Sequence, residues 1–287
     1  YVYPQYPMEK IMDTTRPIYE KAVADAKAAD TPEKRRGVGI AWGGFNVTEG
    51  GGDSAEVALE LMPGNKIRKY DTWHAMGQGA TTGSLVVTLE ALKEMHLTPE
   101  DIQLIQNDTK TCPDTGMAGA SRSLYMDGNA TIIAANKLLA AMRKEDGTLR
   151  TYDEMKAEGI ETKYLGRYET NTTPGLCRLD PNTGIGDPTP AFTYCLNLAE
   201  VEVDTKTGKT TVLKFTCVDF VGRIGNIDAV NGQAYSGIMH GIGFALKEDY
   251  ADVKKHANMF GAGTSYIKDV PDDINLIHID GAISDGP

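Results

Sequence analysis

The stretch Met76-Gly77-Gln78-Gly79-Ala80-Thr81-Thr82-Gly83 decides how this chain is read. Upstream, Lys66 to Trp73 is strand-like; downstream, Ser84 to Met95 carries Leu85, Val86, Leu89, Leu92 and Met95 at helical spacing. A glycine-rich turn therefore opens a helix. There the first N–H groups lack intrahelical partners, the macrodipole is positive, and glycine lets a ligand approach the main chain closely. Such a turn suits a phosphate or the amide-like edge of a ring system, although a Gly-x-Gly turn also serves simply to close a strand onto a helix.

Working outward, the same arrangement recurs. Before the turn, Met8 to Ala29 reads as an amphipathic helix interrupted near Arg16-Pro17. Gly37 to Phe45 and Ser54 to Leu61 read as strands on either side of Gly50-Gly51-Gly52, and Pro63-Gly64-Asn65 turns the second into a hairpin with Lys66 to Trp73. Beyond it, a capped turn at Thr98-Pro99-Glu100-Asp101 leads to a short strand, Ile102 to Gln106. A second glycine-rich loop, Thr115-Gly116-Met117-Ala118-Gly119-Ala120-Ser121-Arg122, then opens a long helix, Ser123 to Lys144, with Tyr125, Ile132, Ile133, Leu138, Leu139 and Met142 on its apolar side. Residues 145 to 190 are polar, with a short helix at Tyr152 to Glu158. Ala191 to Asp204 and Lys209 to Asp219 form a hairpin across Lys206-Thr207-Gly208, and Gly222 to Asn226 leads into a last helix, Ala229 to Tyr250. Three strand–turn–helix passages suggest three helix N-termini converging on one extended anionic ligand. The expected fold class is α+β, two subdomains of mixed β-sheet with packed helices. The expected divisions are a helical lead-in at 1–35, a first subdomain at 36–146, a connector at 147–190 and a second subdomain at 191–287.

Composition narrows the function. A soluble globular balance of 41% hydrophobic and 24% charged residues, with a net charge of -11, argues against nonspecific nucleic-acid or anionic-membrane binding, which needs clustered Lys and Arg. No apolar run reaches membrane-spanning length. An anionic cofactor bound to so acidic a chain must be held locally, by main-chain N–H groups and a few side chains. Cys112, Cys177, Cys195 and Cys217 have no Cys-x-x-Cys spacing and no paired histidines, and read as four separate thiols in a reducing compartment, the cytoplasm with the periplasm as alternative, against a disulfide pair or a metal site. They cannot by themselves hold an iron–sulfur cluster. Tyr1 to Pro7 and Asp285-Gly286-Pro287 read as cut ends of a longer polypeptide.

Five motifs in order carry a resemblance: Gly77 to Gly83, Gly119 to Arg122 with Gly128-Asn129-Ala130, Gly225-Asn226, Gly232-Gln233, and Gly241-Ile242-Gly243. Together they resemble the molybdenum-binding half of the xanthine oxidase family, and within it the bacterial aldehyde oxidoreductases. The likeness continues through Lys254-Lys255-His256-Ala257 and Gly261-Ala262-Gly263 to Asp285-Gly286-Pro287. The resemblance implies a molybdenum hydroxylase that turns aldehydes into carboxylic acids with water as oxygen source. Its metal sits on molybdopterin, commonly as the cytosine dinucleotide, and its electrons leave through [2Fe-2S] domains that this chain does not contain. Carried over, Gly77, Gln78, Gly79, Ala80 and Thr81 line the pterin and the molybdenum ligand sphere, with Gln78 donating a hydrogen bond. Ala118, Gly119, Ala120, Ser121, Arg122 and Ser123 wrap the phosphate or nucleotide tail. No side chain ligates the metal directly.

Two departures matter. Where the family has glutamine before the Gly-Ile-Gly of the last helix, this chain has His240: a helix histidine satisfied by a neighbour, or a substituted cofactor contact that titrates near neutral pH. The family's general-base glutamate lies in a Gly-Val-Gly-Glu motif just beyond the sequence matching Ser284 to Pro287, so no catalytic residue falls in this chain, and the fragment alone is expected to be inactive. Expected partners are a small-molecule substrate, aldehyde or heterocycle, and the other domains or subunits of the enzyme, a homodimer when whole. A purine or N-heterocycle hydroxylase is the rival within the class. A non-catalytic cofactor-binding or assembly module is the rival outside it. Arg122, at a helix start, is the best-placed cation for a phosphate, with an ordinary surface ion pair as alternative. Trp42, Trp73 and His74 read as packing residues or as a pocket rim, and Asp269, Asp272 and Asp273 as a solvated turn.

Overall fold

The computed structural model describes residues 7–47, 52–170, 179–186, 189, 191–247 and 270–279. The expectations placed on Tyr1 to Tyr6, Gly50-Gly51, Cys177, Asp269, the Lys254 to Gly263 stretch and the end from Ser284 lie outside these residues. The described residues divide into two compact units: Asn46–Phe192 belongs to the first, and the described parts of Gln5–Phe45 and Thr193–Pro287 form the second.

The first unit is built on a four-stranded sheet. Its strands are β2 (Ser54–Met62), β3 (Lys66–Asp71), β4 (Ile102–Gln106) and β5 (Lys163–Glu169), in the order β4-β3-β2-β5. The β2–β3 pair is the expected antiparallel hairpin, closed through Gly64 and Asn65, both in the left-handed region. β3 and β4 run parallel, which requires a crossover, and helix α2 (Ala80–Ala91) supplies it. Helix α3 (Arg122–Met142) packs on β2, β5 and α2. Leu59, Leu61, Ile67, Leu92, Leu138, Leu139 and Met142 form the core between them.

The buried stripe of α3 includes Leu138, Leu139 and Met142 as expected but continues through Met126, Ala130 and Ala134, while Ile132 is 46% exposed. Small residues are selected because β5 approaches the helix backbone directly. A Cβ on Gly166 would overlap the Ala130 carbonyl oxygen and lie 2.5 Å from the Ala134 nitrogen. Residues 147–190, expected as a connector, thus contribute β5 and a short helix, α4 (Tyr152–Ala157), to this unit.

In the second unit, β1 (Lys34–Val47), β6 (Ala191–Asp204), β7 (Thr210–Phe220) and β8 (Asp273–His278) form a sheet ordered β1-β6-β7-β8. β6 and β7 are the expected hairpin, with a bulge between Glu200 and Val201; β7 and β8 are parallel. Asp273, expected in a solvated turn, opens β8 and pairs with Lys214 at 3.1 Å. Helices α1 (Met8–Ala29) and α5 (Ile227–Leu246) pack against β7. α1 runs unbroken through Pro17, because burial of Ile11, Thr15 and Ala22 anchors it on both sides of the proline. Both sheets are mixed and carry helices, as the α+β expectation held. Among the described residues, no helix is long and apolar enough to cross a membrane.

Candidate cofactor site

The two glycine-rich loops meet within the first unit. The N–H of Thr72 donates to the Thr115 hydroxyl oxygen at 2.9 Å, and the N–H of Thr115 donates to that of Thr72 at 3.1 Å, so the segments leading to α2 and α3 are tied by a reciprocal pair of hydrogen bonds. In the first loop, Gly77 and Gly79 take φ of 108° and 85°, and Gly79 is the N-cap of α2. Gln78 folds this loop on itself: its carbonyl oxygen accepts from the Met76 N–H at 2.5 Å, and its amide donates to the His74 carbonyl at 2.8 Å. Ala80 and Thr81 form the first turn of α2. In the second loop, Ala118 and Gly119 precede Ala120 and Ser121, which are left-handed although neither is glycine, and Arg122 and Ser123 begin α3.

Caps separate these two helices from others in the fold. Thr151 caps α4 and Asn226 caps α5 through their side chains, whereas neither α2 nor α3 has a side-chain cap. The Arg122 N–H of α3 donates to the Gly119 carbonyl at 3.0 Å, and the other N–H groups of the first turns receive no side-chain cap. Around them Met76 is 75% and Met117 71% exposed, and a Cβ added at Gly77 would meet nothing within 4 Å. The paired loops offer main-chain donors, open space and two positive helix ends without side-chain caps, a donor set that fits a phosphate-bearing pterin. In the second unit the N-terminus of α5 is capped: the Asn226 side-chain oxygen takes the Ala229 N–H at 3.0 Å.

Arg122 is neither a free phosphate cation nor a surface ion pair. It is 3% exposed, and all five of its N–H donors have acceptors: Nε and Nη2 grip the Asp53 carboxylate at 2.7 and 2.8 Å, Nη2 also donates to the Ser54 carbonyl, and Nη1 to those of Thr115 and Met117. The guanidinium is a clamp that shapes the second loop from behind. Gly116 lets it in, since a Cβ there would lie 2.8 Å from the guanidinium nitrogens. Gly128 also serves packing: it faces Val87 of α2.

Behind both loops lies a charged cluster that sequence reasoning missed. Lys69, Asp71 and Asp127 have no exposed side-chain surface; Lys69 Nζ lies 2.8 Å from Asp127 and 3.3 Å from Asp71. Asp71 also accepts from the Ser84 hydroxyl of α2 and the Gln106 amide of β4, each at 2.7 Å. Asp127 Oδ1 accepts from Thr131, while Oδ2 has no hydrogen-bond partner among the described residues. Burial pushes the Asp127 carboxyl up to about 6 against the opposing pull of Lys69. The cluster joins β3, α2, β4 and α3, and so fixes the two helices whose N-termini bear the loops. The signal was the shared parity of Lys69 and Asp71 with core Ile67, and the placement of Asp127 one helical turn before buried Thr131. Trp73 is buried as a packing residue, its ring 5.5 Å from Lys69 Nζ; His74 and Trp42 are exposed.

His240 belongs to the second unit. It is exposed on α5, its Nδ1 2.7 Å from the Ser236 carbonyl, which leaves Nε2 as the outward nitrogen. Cys112, Cys195 and Cys217 are free thiols, and the register sets Cys195 and Cys217 diagonally on one face of the β6–β7 ladder. Among the described residues no group of three or more His, Cys, Asp or Glu is placed to hold a metal ion.

Residues 15–271 match the model of the molybdopterin cofactor-binding domain. An aldehyde oxidoreductase of Megalodesulfovibrio gigas is 37% identical over 98% of this chain. The crystal structure of the aldehyde oxidoreductase from Desulfovibrio desulfuricans superposes with a TM-score of 0.90 at 40% identity, over 98% of this chain. A probable hypoxanthine oxidase of Escherichia coli is 28% identical over 75% of it. The chain spans 31%, 30% and 24% of these three relatives, respectively.

Proposed function

The chain belongs to the molybdopterin cofactor-binding domain family of xanthine oxidase-type enzymes, and from that premise we propose that it is part of a molybdenum hydroxylase oxidising aldehydes to carboxylic acids with water as oxygen source. The observation that carries the reading is the pair of uncapped helix N-termini, α2 and α3, held side by side by Thr72 and Thr115. The aldehyde substrate class is supported by the 37% identity with an aldehyde oxidoreductase.

When bound, the pterin-held molybdenum supplies the two-electron oxidation at a C–H bond. The chain's own residues bind and orient. Gly77, Gln78, Gly79, Ala80 and Thr81 present main-chain N–H groups and the remaining amide hydrogen of Gln78 to the pterin. Ala118, Gly119, Ala120, Ser121 and Ser123 surround a phosphate, in the form of the cytosine dinucleotide. Arg122 acts on that phosphate through the loop it shapes. His240 offers Nε2 where the family has glutamine. The general base and the [2Fe-2S] clusters are assigned to parts of the enzyme outside this chain.

The test is the molybdenum content of the natively produced protein and the nucleotide released by mild acid hydrolysis, followed by aldehyde and purine panels. The expected result is about one molybdenum per chain with cytidine monophosphate, and turnover of aldehydes. Turnover of purines alone would move the reading to the N-heterocycle hydroxylases, which the Escherichia coli relative represents. Neither metal nor nucleotide, from a host that makes the cofactor, would sink the enzyme reading.

A further inference from the structure

The two loops and the charged cluster behind them make opposite electrostatic demands. An anion at the N-termini of α2 and α3 needs positive potential, yet the side chains buried under those ends carry one negative charge too many when both carboxylates are ionised. Lys69 faces Asp127 at 2.8 Å and Asp71 at 3.3 Å, and none of the three side chains has exposed surface. The other groups that meet the cluster are neutral: the Ser84 hydroxyl of α2, the Gln106 amide of β4, the Thr131 hydroxyl of α3 and the Trp73 ring. β2 packs Ala55 and Val57 against α3, and β5 packs Gly166 against it. At the start of α3, Arg122 and Asp53 neutralise each other.

The two carboxylates are not equally equipped. Asp71 accepts from Ser84, from Gln106 and from the Trp73 N–H at 3.3 Å. Both donors that reach Asp127, Lys69 and Thr131, go to Oδ1, and Oδ2 has no partner among the described residues. An ionised oxygen without a donor costs far more in an apolar interior than a neutral hydroxyl, so a proton entering the cluster belongs on Asp127. Burial favours the same state and raises this carboxyl to about 6. The cluster is also close to the helix ends. Asp127 lies five residues beyond Arg122 in α3, about 8 Å along the axis, and Ser84 four beyond Ala80 in α2, about 6 Å. At an effective dielectric of about 20, two unit charges about 10 Å apart change a binding constant by on the order of tenfold.

We propose that anion binding at the two loops is proton-linked: a phosphate-bearing ligand seated on the α2 and α3 N-termini draws a proton from solvent onto Asp127 Oδ2, and the ionised Asp127 carboxylate opposes that ligand. The proton returns to solvent when the ligand leaves. The proposal rests on the cofactor-site reading above and adds the regulation of that site by pH. Below about pH 6 the cluster is neutral and the ligand is held at full affinity. As pH rises through about 6 the free site turns negative and affinity falls, levelling off about one pH unit higher, where the bound form has lost its proton too.

The test is calorimetric titration of the full enzyme, made in a host without molybdopterin synthesis, with CDP-glucose between pH 5 and 8. This probe is a cytidine pyrophosphate diester whose charge does not change over that range. Parent and Asp127→Asn are compared, since asparagine keeps the acceptor used by Lys69 and Thr131. The parent should bind on the order of tenfold more weakly at pH 8 than at pH 5, and should take up a fraction of a proton near pH 6.5, read from the heats in two buffers of different ionisation enthalpy. The variant should bind at every pH as tightly as the parent does in acid, with no such uptake. Equal slopes in the two proteins, or a variant as weak at pH 8 as the parent, would overturn the proposal and leave the cofactor site standing. No binding by either protein at any pH would overturn the cofactor-site reading and the linkage with it.

Discussion

Replacing Asp127 by Asn should make the protein more stable at neutral pH than its parent, and equal to it in acid. Lys69 faces two carboxylates, Asp71 and Asp127, in a site with no exposed surface, so the cluster carries one negative charge more than it compensates. Burial raises the Asp127 carboxyl from 3.8 to about 6. The folded state therefore holds a proton that the unfolded chain has already released. Stability from this proton is fully present below about pH 3.8 and is lost as pH rises through about 6. At about 1.36 kcal/mol per pH unit, the loss amounts to about 3 kcal/mol. Asparagine reproduces the neutral form: its oxygen can still accept from Lys69 and Thr131, and its amide leaves the same unpartnered position that Oδ2 leaves now. Urea unfolding followed by Trp73 fluorescence, with Trp42→Phe in both proteins, reads the site directly, since that ring lies 5.5 Å from Lys69 Nζ. The curves for parent and Asp127→Asn should coincide near pH 4 and separate by up to about 3 kcal/mol by pH 7, the variant being the more stable. Parallel curves over that range would show that Asp127 exchanges no proton on folding, and would refute the reasoning.

Two further substitutions test the frame around the loops. Arg122→Lys keeps the charge but can satisfy at most three of the five acceptors now gripped, so it should cost about 3–5 kcal/mol and open the 115–121 loop to protease before the rest of the unit; cleavage no faster than in the parent would refute the clamp. Gly166→Ala forces a methyl group onto the Ala130 carbonyl, and since backbone rather than a flexible side chain must yield, a loss of about 3 kcal/mol or more in urea unfolding is expected.

Much of the frame was legible because punctuation residues act locally. Glycine and proline mark where a strand must turn, whatever lies elsewhere in the chain, and the hairpins at Gly64-Asn65 and Gly208 and the starts of α2 and α3 fall at such positions. What was not legible depends on partners far along the chain. Arg122 at a helix start looks available for phosphate; whether its donors are already spent depends on Asp53, 69 positions away. The α3 stripe was legible at Leu138, Leu139 and Met142 but missed at Ala130 and Ala134 for a related reason: large apolar residues attract attention, while the approach of β5 at Gly166 selects small ones there.

The thiol pair shows how a single extra residue sets what a sheet face can do. From the turn outward, Val203 pairs with Thr210 and Val201 with Val212; then Glu200 pairs with Lys214, so Leu213 is passed over. Had the first register continued, Cys217 would oppose Leu196, and with side chains alternating across the sheet the two cysteines would point to opposite faces. The bulge shifts every later pair by one, setting Cys217 opposite Asn197 and Asp219 opposite Cys195, so that these four side chains share a face. A phase change was present in the sequence, since the apolar alternation of β6 passes from Val203 and Val201 to Leu198 and Leu196. Sequence alone cannot assign that phase change to one strand or the other, because an extra residue in either restores the pairing. The cysteines therefore read as isolated thiols until the ladder is known, and Cys195 and Cys217 share a face because the extra residue lies in β7.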